Sequence, residues 1–458
     1  MDRSAHDEAS LPAGLRANHL SAWEAIGQSL ATLAPTAGPA VIIPLALATS
    51  GNGTWLVFVI ATIAIICIGY QINTFARRSS SPGSLYTFVQ QGLPPASIVT
   101  AWALLIAYVA TASGTACGAA IYLQPLLFPG MVVTRTGTLG LAMFAVAMAT
   151  ALAWFDVKIS TRLMLALEGL AVLLMVLLYA LPGHASAWHI DHAQLTLAGV
   201  TAKQIRGGLV LGVFAFVGFE SAASLGGEVA NPLRNIPRAI SSSILIGGLF
   251  FIVSAYAEQI AFGANSSTLA TSTAPLKLLA AIRGYPAFGP LLMTWCCVSA
   301  VACVAACIQA AARTLYGMSC NGQCAAILGR IHPRRHSPHI AILATTAAIA
   351  LPAAALILLG LRLFDVYNWL ATFATLGFIT AYALVTIAAV RVQITLRTFG
   401  ILSAITAAVI ACVLALGAAS SFDPSLTGVD RLLPYLYLLA LAAGVLLTIA
   451  QRRPTQVS

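Results

Sequence analysis

Charge is what this sequence has least of: 8% of its 458 residues are Asp, Glu, Lys or Arg, against about 25% in a soluble globular domain. So small a share excludes a solvated surface over most of the chain. Histidine is kept out of the apolar stretches as well. All eight lie outside the apolar stretches or at their edges, which removes the commonest base and metal ligand from the membrane interior. No His-Glu-x-x-His, paired-aspartate or nucleophile-elbow pattern occurs, and no Gly-x-x-x-x-Gly-Lys-Ser/Thr loop. An enzyme and an ATP-driven pump are therefore disfavoured, and no cofactor is expected. No signal peptide is evident, since Met1 to His19 are polar and the first apolar stretch is closely followed by others.

What is abundant is apolar. Hydrophobic residues make up 59% of the chain, and a spanning helix needs roughly 20 of them in a row. Twelve such stretches start near residues 26, 54, 96, 138, 162, 205, 240, 287, 339, 366, 398 and 432, so an all-α, multi-pass membrane protein is expected. A net charge of +10 would suit nucleic acid, but the basic residues alternate with the loops instead. With the N-terminus in the cytoplasm, the inner side receives Arg3, Arg16, Arg77, Arg78, Lys158, Arg162, Arg234, Arg238, Arg313, Arg330, Arg334, Arg335, Arg391, Arg397, Arg452 and Arg453. The outer side receives Arg135, Lys203, Arg206, Lys277, Arg283, Arg362 and Arg431. This bias follows the positive-inside rule and predicts that both termini are cytoplasmic.

Nine cysteines are present, six of them between Cys296 and Cys324. Cys296, Cys303 and Cys307 share a helical face, which makes a soft-metal site conceivable. Without an imidazole nearby they are read as small buried hydrophobes, and no metal is expected.

The most informative segment runs from Gly207 to Arg238. Gly-Gly-Leu-Val-Leu-Gly-Val-Phe-Ala-Phe-Val-Gly-Phe-Glu ends at Glu220, and Glu228-Val-Ala-Asn-Pro-Leu-Arg-Asn-Ile-Pro237 comes soon after. Glycines, aromatics and a carboxylate within an apolar span suggest a broken helix lining a solute path. Phe216-x-Gly-Phe-Glu220 and the Asn231-Pro232 turn resemble the sixth transmembrane helix of the amino acid–polyamine–organocation permeases. Three further motifs support the resemblance: Arg77-Arg-Ser-Ser-Ser-Pro-Gly-Ser-Leu-Tyr86, Arg313-Thr-Leu-Tyr-Gly-Met318 with Gly322, and His332-Pro-x-x-x-Ser-Pro338. It implies twelve transmembrane helices in a 5+5 inverted repeat, with helices 1 and 6 broken and two further helices at the C-terminus. The expected divisions are a cytoplasmic tail over 1–20, repeats over 21–183 and 205–391, an extracytoplasmic connection over 184–204, helices 11 and 12 over 392–451 and a tail over 452–458. A bacterial cytoplasmic (inner) membrane is the expected location.

Helix 1 carries Ala34-Pro-Thr-Ala-Gly-Pro39, and paired breaks in the first helix of each half point to a transporter's binding site. Backbone N–H groups at a half-helix N-terminus favour a substrate carboxylate, so Pro35, Thr36, Ala37 and Gly38 are candidate contacts. Where the family shows Gly-x-Gly, this chain has Thr36-Ala37-Gly38, and Pro39 lacks a donor. A proline kink in a packing helix is the other reading. In helix 6 the carbonyls of Val213 to Val217, including Ala215, are candidate acceptors for an ammonium, with Gly218 at the break. By resemblance Phe214 covers the substrate, though Phe214 and Phe216 could equally face lipid or neighbouring helices.

Two carboxyls are candidates for coupling. Glu220 adjoins the helix 6 break and reads either as a proton-linked switch or as an anchor for nearby N–H groups, while Glu228 reads as a loop anchor. Glu168 stands in helix 5, where many relatives carry a lysine. Helix 8 offers a sodium ion little beyond Ser299 among Ala, Val and Cys, which favours protons. The expected function is secondary transport of an amino acid or related amine by alternating access, as proton-coupled uptake, with an exchanger or a transporter-like sensor as alternatives. A neutral amino acid is the default substrate, because no clear cationic partner for a second carboxylate is evident, and diamines stay open through Glu220 or Glu168. The partners are thus a small amino acid or amine, protons and the lipid bilayer.

Overall fold

The computed structural model describes residues 15–181, 190–262 and 274–451. The tail over 452–458, most of the tail over 1–20, part of the 184–204 connection, and Arg3, Arg452 and Arg453 lie outside that set. Among the described residues the backbone is helical, with one isolated parallel bridge between Leu20 and Val229.

The helices are α1 Ala22–Leu33, α2 Ala37–Ser50, α3 Thr54–Ala76, α4 Leu85–Gly92, α5 Ser97–Leu127, α6 Arg135–Trp154, α7 Val157–Ala180 and α8 His192–Leu195. They continue as α9 Ala202–Phe214, α10 Pro232–Phe262, α11 Pro275–Ile282, α12 Phe288–Cys320, α13 His339–Leu358, α14 Leu363–Thr395, α15 Ile401–Ser421 and α16 Gly428–Gln451. Ten segments among the described residues are long and apolar enough to cross a membrane, the first running from Gly38 to Ala76 through α2 and α3. The stretches expected near residues 26 and 205 are not separate members of that set. Each is interrupted: α1 has 12 residues and α9 has 13, short of the roughly 20 a bilayer asks of one helix.

Local chemistry sets these ends. Ser21 and Glu24 form a capping box at α1, and Thr201 and Gln204 form one at α9. Ala34 ends α1 in the left-handed region at φ +46, and Pro35 is next. Beyond α9, residues 215–220 form turns and Ser221–Leu225 a 3-10 helix, so this break opens into tight turns in place of the expected second half-helix.

Burial separates inner helices from outer ones. In α5 and α12, 72% of the most apolar window is buried, against 28% in α16. The first two form the centre, with α5 packed along α12 and α14. On α16, Leu432, Leu439 and Leu446 are exposed at steps of seven residues, the stripe expected of a helix facing lipid.

Candidate functional site

The two interruptions meet. Gly218, at φ +85, lies so close to α1 that a Cβ there would stand 2.0 Å from Thr32 Cγ2, so only glycine fits both the space and the backbone. Hydroxyls fasten the crossing: Ser29 Oγ donates to the Phe219 carbonyl at 2.7 Å, and Thr32 Oγ1 and Ser221 Oγ lie 2.9 Å apart. The Ala222 N–H returns to Ser29 Oγ at 3.1 Å. These bonds satisfy backbone that the broken helix would otherwise leave unpaired.

Beside the crossing is a cavity of about 30 Å³ lined by Thr32, Gly38, Thr111, Thr115, Phe214 and Tyr367, among others. That space holds about one to two waters, too little for an amino acid unless its walls separate. Among the described residues no charged side chain lines it. Thr111 Oγ1 is buried with no hydrogen-bond partner, a hydroxyl free to bind something else. The Tyr122 hydroxyl, also at the wall, donates to the Ala40 carbonyl at 2.5 Å and ties α5 to α2.

The candidate contacts distribute unevenly. Gly38 and Phe214 line the cavity, whereas Pro35, Thr36, Val213, Ala215, Phe216 and Gly218 do not; the side chain of Ala37 lies outside the described set. Phe214 sets its ring edge against Tyr367, centroids 6.3 Å apart. Phe216 packs on Phe251 at 5.2 Å and is fully buried. At the start of α2 the Gly38 N–H donates to the Ala34 carbonyl at 2.8 Å, and Pro35 and Pro39 have no N–H. Among the described residues that leaves the Thr36 N–H as a backbone donor, together with the Thr36 hydroxyl, buried and unpartnered. In the other break the carbonyls of Val213, Phe214 and Phe216 already accept N–H groups of the turns, leaving those of Ala215 and Val217. The glycines of α9 pack closely as well: a Cβ on Gly212 would stand 2.7 Å from Val57 Cγ1.

The carboxyls lie around the cavity, not in it. Glu220 is fully buried and accepts hydrogen bonds from Tyr108 and Tyr382, each at 2.8 Å. Glu168 is buried with the Ser299 hydroxyl 2.7 and 2.9 Å from its two oxygens. That pairing alters the argument drawn from helix 8, because a carboxylate beside Ser299 supplies the hard oxygens its thiols lack. Sequence reasoning missed Glu258 of α10. It is fully buried, accepts from the Tyr179 hydroxyl at 2.8 Å, and its Oε2 has no partner. Its signal in the sequence is that of another carboxyl within an apolar stretch. Among the described residues no group of three potential ligands could hold a metal ion.

Ion pairs close the face that carries the N-terminal segment. Arg313 binds Glu228 through Nε at 2.7 Å and Nη2 at 3.2 Å, both side chains buried, so the loop anchor has its arginine. The His19 and Leu20 N–H groups donate to the Glu228 carbonyl. Glu24 meets Arg162 at 2.5 Å, and Asp156 meets His19 at 3.0 Å and Arg16 at 3.2 Å. Burial opposes ionisation of Asp156, but the His19 and Lys158 hydrogen bonds and the charges of His19 and Arg16 together hold its carboxyl below the usual range.

Two interrupted segments crossing at a small cavity within a bundle of apolar helices are the architecture of a membrane transporter. The amino acid permease family model matches residues 25–449, and this chain belongs to that family, within the amino acid–polyamine–organocation superfamily. It is a transporter family, not an enzyme family. The chain is 24% identical over 312 residues to the branched-chain amino acid permease BcaP of Bacillus subtilis, the match covering 64% of this chain and 65% of that one. It is 26% identical over 302 residues to the low-affinity putrescine importer PlaP of Escherichia coli K12, covering 65% and 66%. It is 25% identical over 216 residues to the L-asparagine permease of Salmonella typhimurium, covering 46% and 42%. In each of the three comparisons the match spans less than two thirds of the relative's length.

Proposed function

We propose that this protein is a secondary active transporter that moves a neutral amino acid or related amine by alternating access, driven by protons. The observation that carries the reading is the cavity at the crossed breaks, walled by hydroxyls and aromatic rings with no fixed charge. A substrate ammonium finds the Val217 carbonyl and the face of Phe214 in the wall, and the Ala215 carbonyl is assigned to it once the helices separate. Its carboxylate finds the Thr111 hydroxyl in the wall, and the Thr36 and Ala37 N–H groups and the Thr36 hydroxyl are assigned to it once the helices separate. Twelve crossings in a 5+5+2 arrangement, both termini in the cytoplasm and a bacterial inner membrane complete the proposal. The relatives named for branched-chain amino acids, asparagine and putrescine support an amino acid or amine, and the uncharged wall favours the neutral members of that set.

Coupling is assigned to Glu220, Glu168 and Glu258, each buried and hydrogen-bonded by hydroxyls, with none of the three in an ion pair among the described residues. A buried carboxylate so placed is costly to keep ionised, and protonation removes that cost. Glu220 is the first choice because it ends the turns that must rearrange. In proteoliposomes, Glu220→Gln, Glu168→Gln and Glu258→Gln are to be compared for counterflow exchange and for uptake driven by a pH gradient. At least one variant should exchange substrate yet fail to accumulate it. Accumulation with unchanged pH dependence in all three would make these carboxyls structural. Accumulation that tracks a sodium gradient at fixed pH would give the Glu168–Ser299 pair to sodium. Because none of the carboxyls lines the cavity, exchange without an ion is the second reading, favoured if the unaltered protein exchanges but never concentrates.

A further inference from the structure

Away from the cavity, a groove of about 410 Å³ lies between the last turns of α3, the first half of α10 and the connection from α14 to α15. Arg77 and Arg78 line one end, both exposed. Among the described residues neither is in an ion pair. The wall beyond them is polar: the Tyr70 hydroxyl lies 3.4 Å from Ser403 Oγ, and Asn73 Nδ2 donates to Ser241 Oγ at 3.2 Å. The other end is apolar and open, with Ile66 and Leu245 exposed and the same surface continuing to Ile63 and Leu249.

The dimensions match one lipid leaflet. From residue 66 to residue 77 along α3 is about 16 Å at ~1.5 Å per residue, close to half of the ~30 Å hydrocarbon thickness. Two guanidiniums outside any ion pair among the described residues thus stand about one leaflet's depth from Ile66, at the near edge of the apolar wall, with hydroxyls and amides between them.

We propose that this groove binds one anionic glycerophospholipid, its phosphate on Arg77 and Arg78 and its acyl chains along Ile66, Leu245 and Leu249. Charge selects the headgroup. A zwitterionic lipid brings its own cation towards the two arginines, whereas an anionic one does not. The occupant touches helices on both sides of the groove and so bridges α3 and α10 to the α14–α15 connection.

Native mass spectrometry of the full chain in neutral detergent tests this, with palmitoyl-oleoyl phosphatidylglycerol and the phosphatidylcholine of the same chains as probes. The phosphatidylglycerol should be retained about tenfold better or more, the preference expected of two arginines at an anionic surface. Arg77→Gln with Arg78→Gln should abolish that preference. Arg330→Gln with Arg334→Gln, the same charge change in another loop, should keep it. Leu245→Trp, which fills the apolar wall and leaves both charges, should weaken retention even if the arginine variant cannot be purified. Equal retention of the two lipids, equal loss in both arginine pairs, or no effect of Leu245→Trp would overturn the proposal. Displacement of the lipid by millimolar inorganic phosphate would mean that the groove reads a free anion, and would also overturn it.

Discussion

Phe214 and Phe216 stand two positions apart and have different neighbours. Phe214 borders the cavity and Phe216 fills a gap against Phe251. Phe214→Ala is therefore expected to raise the apparent substrate Kd about two- to thirtyfold, from ~0.5–2 kcal/mol of lost cation–π attraction. Phe216→Ala should instead destabilise the fold by about 3 kcal/mol or more with a smaller change in Kd; equal effects on Kd would remove the ring from the site. Gly38→Leu should insert normally and fail to transport: a Cβ there meets its neighbours no closer than 3.5 Å, but the rest of a leucine would occupy the cavity. Uptake by a correctly inserted variant would take α2 out of the site. Thr111→Val loses no hydrogen bond in the protein, so stability should hold or rise while substrate affinity falls by about 1 kcal/mol, read by titration. Sequence reasoning missed Thr111, although residue spacing carries a signal for it. With Thr115, Gly118 and Tyr122 it forms steps of four, three and four, one face of a helix, on a stretch whose apolar composition hides it.

Elements explain why the paired breaks are readable and their internal form is not. Proline and glycine mark where a helix stops, so Ala34-Pro35 and Gly218 stand out. The path of the chain beyond a stop depends on its neighbours in space. The turns after α9 persist because Ser29, Thr32 and Ser243 supply hydrogen bonds to them and to the adjoining 3-10 segment, partners distant in sequence. The glycines of α9 suggest a solute path, yet Gly212 admits Val57 of α3; an isolated motif does not say which neighbour needs the space. Glu228 is recognisable as an anchor, and Arg313, 85 residues away, as part of another motif, but only folding joins them. Removing one member of this buried pair, as in Glu228→Gln, should cost about 3–5 kcal/mol in thermal or denaturant unfolding, because the remaining charge loses its partner. A double variant with apolar replacements at both positions should cost less than the two single changes added together.

At the scale of the whole molecule, composition carries most of the information. Scarce charge and apolar runs of bilayer length indicate the class and most spans, while the ion pairs on the N-terminal face are out of its reach because their partners come from separate loops. Asp156 illustrates them, capping α7 and holding His19 and Arg16. Asp156→Asn keeps a capping oxygen and should cost under about 1 kcal/mol once solvent screening is allowed for, whereas Asp156→Ala should cost about 1 kcal/mol more. The sign with pH comes from a folded carboxyl held below its unfolded value of 3.8. Its contribution is complete above that pH and is lost as pH falls through the lower folded value, so the native protein and Asp156→Asn should converge in thermal stability in acid. The same corner gives an unintended instrument. Leu20 is bridged to Val229, a few residues past the turns of the helix 6 break, while Asn18, two residues earlier, is exposed. A spectroscopic label at residue 18 would ride on that bridge, so under the proposed alternating access its distance from a second label at Arg334 should change on adding substrate, with no probe in the cavity; an unchanged distance would count against that proposal.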